Sequence, residues 1–192
     1  MVSIGLWKSF TRTMAITNLY RQSHLQRYKI GGNMSTNSDK IKRYERLAIK
    51  KPKYYVSIGD LYSDDGDFKT ATMYYQKAVD NGVLAYTVLG DTWGYRSQYK
   101  KAFDAYTAGA NKGEAECFAR LGFCYETGYV KIDIQKAIEC YAKASDLGVA
   151  TAARSLGDLY YFNTPIENSK IENVKNALQF YERAFYLGDT TV

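Results

Sequence analysis

The side chains that could act as nucleophiles, bases or metal ligands are few and poorly placed for it. Cys117, Cys124 and Cys140 are the three cysteines of a 192-residue chain, and His24 is its one imidazole. A structural zinc site takes four Cys or His ligands at short spacings. These residues form no CxxC pair, so neither a metal nor any other cofactor is expected. Three core thiols in a reducing compartment account for the cysteines more simply. A Ser/His/Asp or Cys/His catalytic site would have to take its base from His24, which sits in a segment that reads as a linker. Ser97-Gln98-Tyr99-Lys100 fits a Ser-x-x-Lys acylation motif, yet neither Ser-Asp-Asn nor Lys-Thr-Gly accompanies it. No glycine-rich phosphate loop follows a strand-like stretch. Catalysis is therefore not expected, nor a small-molecule substrate.

What recurs instead is a carboxylate. Asp60, Asp91 and Asp158 each follow a glycine, and Phe123 occupies the same place in a fourth segment. The frame around them repeats as aliphatic-Gly-x-x-aromatic: Ile58-Gly59 to Tyr62, Leu89-Gly90 to Trp93, Leu121-Gly122 to Tyr125, Leu156-Gly157 to Tyr160. A second block follows each. Its Ala (Ala71, Ala102, Ala137, Ala177) is followed by Tyr75, Tyr106, Tyr141 or Tyr181, then by Ala78, Gly109, Ala144 or Ala184, and finally by Gly82, Gly113, Gly148 or Gly188. Registers this constant identify stacked repeats.

Both blocks have helical periodicity. Ala137, Ile138, Tyr141, Ala144 and Leu147 fall on one stripe, and Gly148 supplies a left-handed C-terminal cap. The central glycines Gly59, Gly90, Gly122 and Gly157 each cost a helix about 1 kcal/mol relative to Ala. A bare Cα at that point lets the tyrosine of the second helix approach the first. The chain is thus predicted to be all-α: an α/α superhelical solenoid of about four helical hairpins plus an N-terminal cap helix. The hairpins fall at 53–83, 84–113, 114–148 and 149–188 within a repeat body of 53–192, and the cap helix at 39–52, stopped by Pro52.

Charge divides the chain. Residues 1–53 carry 12 Lys and Arg against 2 Asp and Glu, a net of +10, and the rest nets −4. Residues 1–38 contain no acid and form a basic arm with three open readings. It is a disordered arm, a mitochondrial transit peptide with Trp7, Phe10 and Met14 on one helical face, or a misassigned start before Met34. Cytoplasmic residence is expected, with mitochondria as the alternative if residues 1–33 are a genuine leader. No apolar run reaches the roughly 20 residues of a membrane helix.

The third unit reads Leu121-Gly122, Tyr125, Gly128, Val130, Asp133, Lys136-Ala137, Tyr141, Lys143-Ala144 and Gly148. This pattern resembles the SEL-one-like repeat, a relative of the tetratricopeptide repeat, and the resemblance covers residues 53–188. It implies a non-catalytic scaffold or adaptor that assembles proteins. The secreted branch of the family pairs cysteines at positions that here hold Phe118 and Ser145, so its disulfides are not expected. Some relatives have been associated with β-lactamase activity, which makes a hydrolase one alternative. The other is an RNA-binding helical repeat, against which the −4 body argues, because a surface that holds phosphates must be basic.

A partner groove in such folds runs along the first helices. Asp60, Asp91, Phe123 and Asp158 fall on that face, with Val56, Thr87, Ala119 and Arg154 one turn earlier. A protein or peptide partner, basic in character, is the expected ligand. The competing reading of the row is a solvated face.

Overall fold

The computed structural model describes residues 36–162 and 170–191. The expectations for the arm lie outside these residues, apart from its last three positions. Nine helices are present among the described residues, with no strand: α1 Asn37–Ala48, α2 Tyr54–Asp64, α3 Phe68–Asp80, α4 Tyr86–Tyr95, α5 Tyr99–Asn111, α6 Ala115–Thr127, α7 Ile134–Asp146, α8 Ala150–Phe162 and α9 Lys170–Tyr186. The pairs α2–α3, α4–α5, α6–α7 and α8–α9 are the hairpins, each with a first helix A and a second helix B. The B helices of the first three hairpins also pack on the A helix of the next hairpin, and α1 packs on α2. The all-α repeat architecture expected from the sequence is the one found.

Local chemistry starts and stops the B helices. Asp67 accepts from the Thr70 amide at 3.0 Å and Asp133 from the Lys136 amide at 3.1 Å, satisfying donors that a helix start leaves open. All four B helices end alike. Gly82, Gly113, Gly148 and Gly188 take φ of 80°, 84°, 91° and 97°. The amide one residue later reaches back to the small residue of the repeat: Val83 to Ala78, Glu114 to Gly109, Val149 to Ala144 and Asp189 to Ala184, at 2.9–3.0 Å. This is the Schellman closure, so that small residue and the glycine serve one device.

Burial is continuous along the stack. Ala71, Tyr75, Leu89 and Ala105 pack together, as do Ala102, Tyr106, Cys117, Leu121 and Cys124, and then Ala137, Tyr141, Ala144, Ala152, Leu156 and Leu159. Each cluster takes residues from more than one hairpin, so a single hairpin has no complete core of its own.

Candidate functional site

The central glycines sit under the tyrosine rings. A Cβ placed on Gly59, Gly122 or Gly157 would lie 2.5–2.7 Å from ring carbons of Tyr75, Tyr141 or Tyr181, and Gly90 stands in the same relation to Tyr106. No side chain fits there, and the propensity cost of glycine is offset by burying an aromatic ring. Gly109 replaces the alanine found in the other B helices for a related reason. Tyr86 and Cys117 press on it from the neighbouring helices.

The ring's hydroxyl must then find a partner inside the hairpin. Tyr75 donates to Asp60 at 2.8 Å, Tyr106 to Asp91 at 2.6 Å and Tyr181 to Asp158 at 2.9 Å. The aspartate row is the acceptor half of the glycine–tyrosine contact. In the third hairpin Phe123 offers no acceptor, and Tyr141 donates to Glu126 at 2.8 Å, one turn further along helix A. Burial raises the phenol of Tyr75, Tyr106 and Tyr141, and the carboxylate beside each raises it further. Burial raises the Glu126 carboxyl too, partly opposed by the bond from Tyr141.

Two of the groove residues have a second commitment. Asp91 forms a two-point ion pair with Arg120 of the next hairpin, Nε to Oδ1 and Nη2 to Oδ2 both at 2.9 Å. Arg154 pairs with Asp189 at 3.4 Å and donates to the Thr191 hydroxyl. Glu114 is a functional group that sequence reasoning missed. It accepts from the amides of Tyr86 and Thr87 at 3.1 Å each, capping α4 from the following hairpin where Ala85 provides no side-chain cap. Glu126 was missed as well, because the loss of an acceptor at Phe123 shows only once the hairpin closes and Tyr141 reaches Glu126.

The candidate nucleophiles are unsuited to attack. Cys117, Cys124 and Cys140 are all free thiols. Burial pushes Cys117 and Cys124 up to about 12 and raises Cys140 as well, so the thiolate form is scarce. Ser97 has a structural duty. With φ of 58° it is the left-handed residue that closes α4, and the Gln98 amide reaches back to Trp93 at 2.9 Å. Gly66 does the same work at the end of α2, with φ of 82°.

The last hairpin differs from the others on its outer side. Phe185 is 63% exposed, whereas the equivalent Ser145 of α7 is 1% exposed under the next hairpin. Leu178 and Tyr186 are exposed beside it. Together with Tyr181 and Glu182 they line a shallow groove of about 320 Å³.

The repeat assignment agrees with known families. Residues 116–149 and 150–189 match the Sel1 repeat, and residues 52–81 match a tetratricopeptide repeat. Over 92 residues the chain is 33% identical to chitin synthase regulatory factor 3 of Schizosaccharomyces pombe, a stretch that makes up 47% of this chain. The chain spans about 10% of the length of that curated relative. A Sel1 repeat protein from Oxalobacter formigenes superposes with a TM-score of 0.64 at 22% identity, over 80% of this chain and 65% of that one. The protective antigen c5321 of uropathogenic Escherichia coli, which displays an SLR fold, gives 0.58 at 23% identity, over 77% of this chain and 39% of that one. At these identities the structural likeness is one of fold. The chain is thus a helical-repeat protein that carries two Sel1 repeats and a tetratricopeptide repeat, with one recurring glycine–tyrosine–carboxylate contact in its hairpins.

Proposed function

We propose that the chain is a non-catalytic scaffold or adaptor that binds other proteins. The observation that carries this is the kind of residue that repeats. The recurring positions are all packing positions: the bare glycine, the tyrosine on it, the carboxylate on the hydroxyl and the closing glycine. Their product is a stack whose outward positions vary from hairpin to hairpin, the type of extended surface that repeat proteins use for partners. Thiols whose proton affinity burial raises and a serine committed to a helix end support the non-catalytic reading. The matched relative is named as a regulatory factor, which also suits a chain that acts on other proteins.

The partner proposed for the helix-A face is a basic segment read by the row Asp60, Asp91 and Asp158, which recurs at one helical position. Three free thiols fit a reducing compartment such as the cytoplasm, and no helix among the described residues is long and apolar enough to cross a membrane.

Affinity capture with the full chain as bait, followed by direct binding of each captured protein, tests the scaffold reading. The association rate of a captured partner should fall in an Asp60→Asn/Asp158→Asn variant, because Asn keeps the acceptor for tyrosine and removes only the charge. Turnover of a chromogenic β-lactam by the wild-type chain, abolished in Ser97→Ala, would replace the scaffold with a hydrolase.

A further inference from the structure

The junction between the first two hairpins departs from the others at one position. The residue after the helix-B alanine is Phe103 in the second hairpin and Ile138 in the third. Phe103 packs edge-on against Tyr125 of the next helix A, with ring centroids 5.5 Å apart. Ile138 joins the same apolar cluster as Tyr160, the corresponding aromatic of the fourth hairpin. In the first hairpin the position is Thr72, and its hydroxyl turns back to the Phe68 carbonyl. The aromatic that would have met it is Trp93. Beside Thr72, where the other two junctions place Phe103 and Ile138, lies a groove of about 430 Å³ between α3 and α4.

The groove has a definite chemistry. Lys69, Lys77 and Arg96 line it against a single acid, Asp80, which already takes the Gln76 amide at 2.8 Å. The Arg96 guanidinium lies 4.6 Å from the centre of the Trp93 ring, and Lys101, outside the groove lining, holds its Nζ 4.5 Å from the same ring. The Arg96 guanidinium also reaches the Thr72 hydroxyl at 3.5 Å, which holds it at the groove wall. Met73, a soft and adaptable side chain, is 55% exposed at the groove. Residues 54–192 carry a net charge of −4, so this is a local positive site on an acidic body.

We propose that this groove binds an acidic peptide segment of a partner protein. One apolar or aromatic side chain of the segment enters beside Met73 and Trp93, and flanking carboxylates face Lys69, Lys77 and Arg96. The volume is in the range that holds a small ligand or a few side chains, not a path for a polymer. A nucleic acid would need a track of cations for successive phosphates, and here the surrounding body repels it. The inference rests on the scaffold reading for the nature of the ligand, but it names a different face from the aspartate row and a partner of opposite charge.

The test uses the full chain with Trp7→Phe, so that Trp93 is the only tryptophan reporter. A display library of random short peptides is selected against it. Enriched sequences should carry Asp or Glu flanking one apolar residue, and a synthetic peptide of the enriched sequence should shift Trp93 emission. Lys69→Gln/Lys77→Gln should weaken that peptide by about tenfold and reduce its salt dependence, since exposed charge contacts are individually weak and screened by salt. Thr72→Phe, which places a ring in the groove wall where Phe103 stands next door, should abolish binding. Enrichment without acidic residues would overturn the proposal. So would full affinity in both variants, or tighter binding of a uridine oligonucleotide than of the peptide. A protein captured by the full chain whose binding ignores both groove variants would sink the groove and leave the scaffold reading standing.

Discussion

Tyr141 donates its hydroxyl to Glu126 at 2.8 Å, one helical turn beyond the place where the other three hairpins keep an aspartate for the same purpose. The contact holds a fully packed ring over Gly122, so its acceptor cannot be lost without cost. Glu126→Ala should destabilise the fold by about 1–3 kcal/mol, the penalty for orphaning a buried donor. Urea unfolding reads this directly, and an unchanged midpoint would show that water or another group serves Tyr141.

The same pair sets a pH dependence. Burial raises the folded-state affinity of the Glu126 carboxyl for its proton above the ordinary value of 4.5. A group raised on folding contributes its full stability below the unfolded value and loses it as pH rises through the folded value. Acidification from neutral pH towards about pH 5 should therefore favour the wild type relative to Glu126→Gln, which does not titrate. The difference in unfolding free energy between the two proteins, measured at both pH values, should grow on acidification. A flat difference would mean that the carboxylate is better solvated than its packing implies.

Gly122 tests the close approach. Alanine there gains about 1 kcal/mol of helix propensity, yet its Cβ would stand 2.7 Å from the Tyr141 ring. Overpacking costs about 1–3 kcal/mol, so Gly122→Ala should be net destabilising and Gly122→Leu more so. Thermal melts of the two variants decide the matter. A Gly122→Leu protein as stable as wild type would remove the reason given for all four central glycines.

Ser97 separates a helix closure from a catalytic serine. Its φ of 58° is strained for a residue that carries a Cβ and natural for glycine. Ser97→Gly should raise stability by up to about 1 kcal/mol, visible as a higher denaturation midpoint. A lower one would assign the Ser97 hydroxyl a role beyond closing α4.

The thiols should titrate as three in unfolded, unreduced protein. In the native state Cys140, half-buried, should react first, with Cys117 and Cys124 delayed until the stack opens. A count of one in the unfolded protein would mean a disulfide and an oxidising compartment.

What the sequence determined by itself was everything that depends on local period. Helices A and B, the left-handed glycines that end the B helices and the bare Cα under each tyrosine follow from spacings within a single hairpin, 16 to 24 residues from central glycine to tyrosine. The chain there has few alternatives once an apolar stripe and a glycine are set. The aspartates were legible as a row but not as tyrosine acceptors, because hydroxyl and carboxylate meet only after the hairpin closes. Pairings between hairpins were out of reach. Arg120 finds Asp91 across 29 residues, Glu114 caps α4 from 27 and 28 residues away, and Thr72 and Trp93 come to line one groove. These contacts are set by the shift and rotation of one hairpin on the next. That geometry comes from the summed packing of many side chains and has no periodic trace in the sequence.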